Sequence, residues 1–211
     1  LVSVNQGAHP TTGIFWNDWQ SDQNPLYYLW VFPFHLTPLT TIGTIAGLAL
    51  MGAGFVQWWH RKPTWPARIL PLVLGLIVYI VIFVTPVSAI ARRGDRYILP
   101  VYFAIALLSA LALWWLAGLL AKWLPGFMMR FRLTPGRIVG GLLALQAVSV
   151  LAYHPYYLAY FNPLAGGPWT APRYINVGWG DGLDVAARYL NEKSQSSPPV
   201  VAAWYSNQFA P

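Results

Sequence analysis

The chain contains no cysteine and very little charge. Without a thiol, the sequence excludes a disulfide framework, a thiolate metal site and a cysteine nucleophile, and it leaves the redox compartment open. Charged residues make up 9% of the 211 positions, against about a quarter in an ordinary soluble domain. A surface facing water cannot be built from so few charges. Together with a hydrophobic content of 56%, this predicts an integral membrane protein.

Four apolar stretches are candidates for membrane spans. The hydrocarbon core is about 30 Å thick, and a helix needs about 20 apolar residues to cross it. The fourth stretch is short by this criterion unless its helix begins at Thr134-Pro135, with Arg137 reaching back to the interface. The predicted spans are Leu36–Trp59, Ile69–Ala91, Ile98–Leu120 and Ile138–Tyr153.

The first span carries two local signals. Thr37-Pro38 suits a helix cap followed by the first helical residue, where the missing N–H of proline does no harm. Gly43 and Gly47 lie one turn apart and predict a face that a second helix can approach closely. Glycine is common in membrane helices, so this second signal is the weaker one.

Cations are concentrated in two loops, after the first and the third predicted span. These loops hold the whole formal charge of +7, because cations and acids are equal in number elsewhere. Lys and Arg beside spans are retained in the cytoplasm. We therefore predict a protein of the cytoplasmic (plasma) membrane with both chain ends outside the cytoplasm. Topology and anionic lipid explain the basic charge without nucleic acid. The cations are Arg61, Lys62, Arg68, Lys122, Arg130, Arg132 and Arg137.

Segment 122–132 has a mixed aromatic and basic makeup and is predicted to lie along the cytoplasmic interface, in preference to a binding site for a calmodulin-like partner. Beyond the spans, Tyr174–Val177 and Val200–Trp204 are predicted strands, and Leu183–Glu192 is a predicted helix. The fold class is therefore an α-helical membrane protein with about four transmembrane helices, followed by the start of a small extracytoplasmic α/β segment. The predicted parts are an outer loop over 1–35, a transmembrane region over 36–153 and an outer tail over 154–211.

One predicted outer loop runs against the charge rule. Arg92, Arg93 and Arg96 lie together at the outer end of the second span, where cations are disfavoured. A phosphate at the membrane surface would account for them, because guanidinium groups grip phosphate oxygens in a bidentate way. Ordinary phospholipid headgroups, or acids elsewhere in the protein, would account for them about as well.

The region before the first span is polar and aromatic. Aromatic rings beside acids can line a sugar site, and an interfacial aromatic belt would look much the same. We favour the belt for Tyr27, Tyr28 and Trp30. His9 and Asp18 stay open as substrate contacts, although a lone histidine is more often structural than catalytic.

Three segments resemble one family when taken together. The first combines Ala8-His9-Pro10, Asn24-Pro25-Leu26-Tyr27-Tyr28 and Leu36-Thr37-Pro38-Leu39-Thr40. The second and most specific is Asp95-Arg96-Tyr97-Ile98-Leu99-Pro100. The third combines Tyr153-His154-Pro155-Tyr156-Tyr157, Asn162-Pro163-Leu164, the run from Val177 to Asp184, and Ala187-Arg188-Tyr189-Leu190-Asn191. This set resembles the protein O-mannosyltransferase-like membrane glycosyltransferases, which have a GT-C fold and include the aminoarabinose transferases. Ala8 departs from the family, which tends to have glycine there.

The resemblance implies an enzyme that moves a sugar from a polyprenyl phosphate donor to a protein or lipid acceptor outside the cytoplasm. No metal or other cofactor is predicted. The family's catalytic carboxylate is expected upstream of Leu1, so the chain is expected to be a fragment without its base. The implied contacts to the donor phosphate are Arg92, Arg93, Arg96 and Tyr97, and the possible substrate-loop residues are His9, Asp18, Asp95 and His154.

A non-catalytic membrane protein, such as a transporter or an assembly scaffold, is the alternative. Transporters need polar side chains or broken helices near the midplane of the membrane. The predicted spans offer little of this beyond Gln146, which weighs against transport.

Overall fold

A computed structural model describes residues 12–15, 18–21, 27–89, 95–175, 177 and 182–193, with the backbone alone for 12–15, 18–21, 95 and 96. Two strands, β1 and β2, form an antiparallel hairpin in which Ile14 lies opposite Trp19. Eight helices and a short 3-10 helix before α4, Asp95–Ile98, make up most of the rest. The strands are β1 Thr12–Phe15 and β2 Asp18–Ser21, and the helices are α1 Tyr27–His35, α2 Pro38–Trp59, α3 Trp65–Ala89, α4 Leu99–Trp123, α5 Pro125–Arg130, α6 Pro135–Leu151, α7 Gly167–Tyr174 and α8 Leu183–Lys193.

Three of the helices, α2, α3 and α4, are long and apolar enough to cross a membrane. Their outward surfaces carry large apolar side chains, such as Ile82 at 66% and Phe103 at 80% exposure. Such surfaces are stable in hydrocarbon and unfavourable in water. The prediction of a helical chain with long apolar helices that could span a membrane is confirmed for α2, α3 and α4.

The helix α6 begins where the sequence predicts. The hydroxyl oxygen of Thr134 accepts a hydrogen bond from the backbone N–H of Arg137 at 3.3 Å, which caps the helix. With 17 residues, α6 is about 26 Å long. It falls short of the length that marks the other three helices as spans, and the fourth crossing stays a prediction.

Glycines bring α2 and α4 into close contact, as predicted. A Cβ atom added to Gly43 would lie 2.6 Å from the Cβ of Ser109, and one added to Gly47 would lie 2.7 Å from the Cγ of Leu108. The Ser109 hydroxyl also donates to the carbonyl oxygen of Thr40 at 3.0 Å. The two helices therefore approach each other closely at these two glycines.

The order of contacts along the helices fixes their relative direction. Leu36, before α2, shares one cluster with Val101 at the start of α4. Further along both helices, Ala46 and Leu50 share a second cluster with Leu108 and Ala112, so α2 and α4 run parallel. The helix α3 runs in the opposite direction and packs against both of them, and its later residues meet the start of α4. Thr37 donates to the Oε1 atom of Gln146 at 2.8 Å, so α6 ends beside the start of α2. The N-terminus of α2 is capped by Thr37, as predicted.

The helix α1 lies within the predicted outer loop and was not anticipated. Tyr27 and Tyr28 are 7% and 0% exposed and pack in a cluster with Val31, Ile98 and Val101. The prediction that these two tyrosines belong to an interfacial belt is therefore wrong, because their rings are covered by protein. Trp30, on the other side of α1, is exposed. Pro33 inside α1 and the near-uniform apolarity of this segment hide the helical period from sequence inspection.

The tail differs from the predicted α/β pattern where it is described. Tyr174 ends α7 instead of opening a strand, and Ile175, which caps the helix, has an extended conformation. Gly166 is in the left-handed conformation with φ 96°, and Pro168 follows in the first turn of α7, so the local signals favour a helix. The helix α8 matches its predicted range within one residue. The second predicted strand, Val200–Trp204, lies outside the described residues.

Candidate functional site

One end of the bundle gathers the described parts of the segments on which the family resemblance depends, while Ala8-His9-Pro10 and Asn24-Pro25-Leu26 lie outside the described residues. This end, called the polar end below, comprises the start of α2, the 3-10 helix Asp95–Ile98 before α4, the helices α1 and α7, and the chain that follows α6. The 3-10 helix is anchored by Ile98, which is fully buried against α1 and the start of α4. Tyr97, one residue earlier, is 38% exposed at the surface.

Asn162 connects the chain after α6 to α1 and α2. It is 1% exposed, and its Nδ2 atom donates to the carbonyl oxygen of Pro33 at 2.8 Å and to the hydroxyl of Thr41 at 2.9 Å. Its backbone N–H donates to the carbonyl oxygen of Phe34 at 2.7 Å, and its Oδ1 atom accepts from the N–H of Leu164 at 3.1 Å. A buried amide with every polar atom bonded fixes the relative positions of these segments.

A second polar contact ties α8 to the same chain segment. The hydroxyl of Tyr156 donates to both carboxylate oxygens of Asp184, at 2.9 and 3.0 Å. The Nη2 atom of Arg188 donates to the same carboxylate at 2.8 Å. The hydrogen bond from Tyr156, and to a smaller degree those from Arg188 and from the backbone of Val185, lowers the pKa of Asp184.

Aromatic rings cluster between α6 and α7. The Nδ1 atom of His154 lies 3.0 Å from the hydroxyl oxygen of Tyr157, while the rings of Tyr153 and Tyr160 meet edge to face at 5.1 Å. Burial is the main cause that raises the pKa of Tyr160, and the neighbouring Tyr153 raises it further. A histidine hydrogen-bonded to a phenol can bind or relay a proton, and its contact with Tyr157 makes His154 part of a pair rather than a lone side chain.

The predicted site residues are only partly within the described chain. Arg92, Arg93 and His9 lie outside it. The backbones of Asp95 and Arg96 form the 3-10 helix that carries Tyr97. Asp18 opens β2, opposite Phe15 of β1, and β1 runs beside α7. The structure therefore brings Asp18, Asp95, Arg96, Tyr97 and His154 to the same end of the bundle.

Sequence inspection assigned no role to Asn162, Tyr156, Asp184 or Arg188. The signal for Asn162 was present in the dipeptide Asn162-Pro163, because asparagine before proline marks the start of a helical turn. Tyr156 and Asp184 are far apart in sequence, and no local pattern links them. Within the described ranges, no group of three His, Asp or Glu side chains is arranged to hold a metal ion.

Comparison of the chain with protein-family models, with curated proteins and with solved structures gives no match.

Proposed function

We propose that this chain belongs to a membrane glycosyltransferase that takes a sugar from a polyprenyl phosphate donor on the extracytoplasmic side of the membrane. The observation that carries the proposal is the meeting of three separate segments at the polar end. They are the start of α2, the Arg96-Tyr97 helix before α4, and the chain around Asn162. These are the segments whose residues resemble the protein O-mannosyltransferase-like family.

The reaction sets the chemical requirements of such a site. An acceptor hydroxyl oxygen attacks the anomeric carbon of the sugar, the bond from that carbon to the phosphate oxygen breaks, and the phosphate leaves with the electron pair. A carboxylate takes the hydroxyl proton, and cations stabilise the departing phosphate. In this proposal the chain contributes the cations, through Arg96 with Arg92 or Arg93.

The position of Arg96 at the start of a long apolar helix supports this role. A helix N-terminus exposes unbonded backbone N–H groups and carries partial positive charge, and both favour a phosphate. Leu99 and Pro100 open α4 directly after the 3-10 helix that includes Arg96. A lipid phosphate at headgroup depth beside this helix terminus would therefore lie near the position that Arg96 occupies in the chain.

Donor binding by the Arg96→Ala variant tests the proposal. The full chain is reconstituted in vesicles, and binding of a polyprenyl phosphate sugar is measured by competition with a photoreactive analogue. Loss of a charge-assisted phosphate contact is worth about 1.5–3 kcal/mol, so we expect the affinity to fall roughly 10- to 150-fold. Arg68→Ala, which removes an exposed arginine at the opposite end of the bundle, is the matched control. Unchanged donor affinity in correctly inserted Arg96→Ala protein would overturn the proposal.

A further inference from the structure

We propose that the end of the bundle opposite the polar end is a binding surface for anionic phospholipid, built around two arginines at helix ends. This surface, called the basic end below, comprises the end of α2, the start of α3, the end of α4, the helix α5 and the start of α6. The direction of the helices brings these parts together, because α2 and α4 run parallel while α3 and α6 run opposite to them.

Charge at the basic end has one sign. All the cations of the two loops are exposed there, and the sequence has no acid between Asp22 and Asp95 or between Asp95 and Asp181. A surface with several cations and no carboxylate attracts anions. Anionic headgroups at the membrane surface are the partner that matches this charge.

Two of these cations occupy a backbone conformation that favours glycine. Arg61 has φ 53° and Arg132 has φ 49°, and they are the two non-glycine residues with positive φ among those described. Each is the first residue beyond the capping residue of its helix, α2 or α5. Glycine is the usual residue at this position because it has no Cβ to clash.

Both helix ends form the same pattern of hydrogen bonds. After α2, the N–H of Lys62 donates to the carbonyl oxygen of Gln57 at 2.9 Å, and that of Arg61 donates to Trp58 at 2.8 Å. After α5, the N–H of Leu133 donates to Met128 at 2.8 Å, and that of Arg132 donates to Met129 at 3.1 Å. These are the paired bonds of a Schellman motif. Arginine therefore occupies this position at two helix ends although glycine would adopt the conformation with less strain. We infer that the positive charge of arginine is the reason.

Aromatic side chains around the basic end complete a surface suited to headgroup depth. Trp59 and Trp123 are 70% and 80% exposed, and Phe127 and Phe131 of the α5 segment pack at 4.8 Å with outward faces. The guanidinium carbon of Arg130 lies 5.9 Å from the centre of the Phe131 ring. Met128 is buried on the inner side of α5. Indole and phenyl rings beside cations are typical of a helix that lies in the membrane interface.

Substitution of both arginines separates lipid binding from helix capping. The chain has no cysteine, so a single Met129→Cys substitution can carry an environment-sensitive fluorophore. The probe is quenched by brominated phosphatidylglycerol or by brominated phosphatidylcholine in mixed vesicles, which reports how strongly the anionic lipid is enriched at the basic end. The double variants compared are Arg61→Gly with Arg132→Gly and Arg61→Lys with Arg132→Lys, and Arg188→Gln at the polar end is the control.

The expected result is a loss of enrichment without a loss of stability. Each cation near the surface contributes about a fivefold change in affinity for anionic lipid, so the glycine double variant, which removes two cations, should bind phosphatidylglycerol up to about 25-fold more weakly. Its unfolding temperature should stay the same or rise, because glycine accepts positive φ without strain. The lysine double variant and Arg188→Gln should keep the enrichment.

Two outcomes would overturn the inference. Enrichment that is unchanged in the glycine double variant, with a lower unfolding temperature, would mean that the arginines act only as caps at the negative ends of the helices. Enrichment that falls equally in the lysine variant would mean that charge is not what recruits the lipid.

Discussion

At the scale of single residues, Asn162 has the largest structural role among the polar side chains described. Its side-chain amide bonds to α1, to α2 and to the turn that follows it, and all three contacts are shielded from water. Removal of such a group leaves the carbonyl of Pro33 and the N–H of Leu164 without their buried partner. The loss of stability is set by the free-energy cost of leaving these buried groups without a partner, which is larger than the net contribution of one hydrogen bond.

Asn162→Ala is therefore expected to lower the free energy of unfolding by about 1–3 kcal/mol. Thermal or denaturant unfolding in a mild detergent, followed by circular dichroism, measures the change. Asn191→Ala on the exposed surface of α8 removes the same side chain without a buried contact and should be close to neutral. Equal stability of the two variants would contradict the role of Asn162.

The carboxylate of Asp184 gives a second prediction at this scale, concerning pH. Its pKa is lowered, chiefly by the hydrogen bond from Tyr156. The contact between α8 and the chain after α6 should therefore be at full strength above the unfolded pKa of about 3.9. It should be lost as the pH falls below that value and through the folded pKa.

Tyr156→Phe should move the pKa of Asp184 upward, towards the ordinary value of an aspartate. Carbon-13 NMR titration of the Asp184 carboxyl group measures the shift. Tyr157→Phe is the matched control, because the hydroxyl of Tyr157 contacts His154 instead. A pKa that shifts equally in both variants would rule out a direct effect of the Tyr156 hydroxyl.

At the scale of elements, the contact between α2 and α4 depends on the absence of a side chain at Gly43. A Cβ at this position would lie 2.6 Å from the Cβ of Ser109 and 2.9 Å from its Cα. Backbone atoms cannot move aside as the end of a flexible side chain can. The two helices would have to separate, and the hydrogen bond from Ser109 to Thr40 would stretch.

Gly43→Ala is accordingly expected to destabilise the bundle by about 1–3 kcal/mol. Gly52→Ala on the same helix meets nothing within 4 Å and should be neutral or stabilising by up to about 1 kcal/mol through helix propensity. Unfolding in mixed micelles with increasing dodecyl sulfate compares the two variants. If Gly52→Ala were the more harmful substitution, the close approach at Gly43 would not be what holds the helices together.

At the scale of the whole molecule, the helices divide the protein into a polar end and a basic end. The charge distribution predicts that the basic end faces the cytoplasm. The described fold brings the chain after α6 to the polar end, so a fourth crossing by α6 would place that chain outside the cell.

Labelling of single cysteines in intact cells checks this arrangement. Leu158→Cys should react with a membrane-impermeant maleimide from outside, while Met129→Cys should react only after the cells are opened. Both positions are exposed, at 63% and 75%, and the cysteine-free parent supplies the background. Labelling of Met129→Cys from outside would mean that the predicted orientation is wrong. Protection of both positions in intact cells would mean that α6 does not cross the membrane.

The sequence by itself determined the long apolar helices α2, α3 and α4, the capping pairs at Thr37 and Thr134, and the glycine face of α2 that a second helix can approach. Each of these depends on local composition or on residues within one or two helical turns, where periodicity, propensity and capping act. Only the tertiary structure decided that Tyr27 and Tyr28 are buried, that Tyr174 belongs to a helix, and that Asn162 joins α1 to α2. Those outcomes depend on contacts between residues distant in sequence, and burial and hydrogen bonding across such distances leave no periodic signal in the chain.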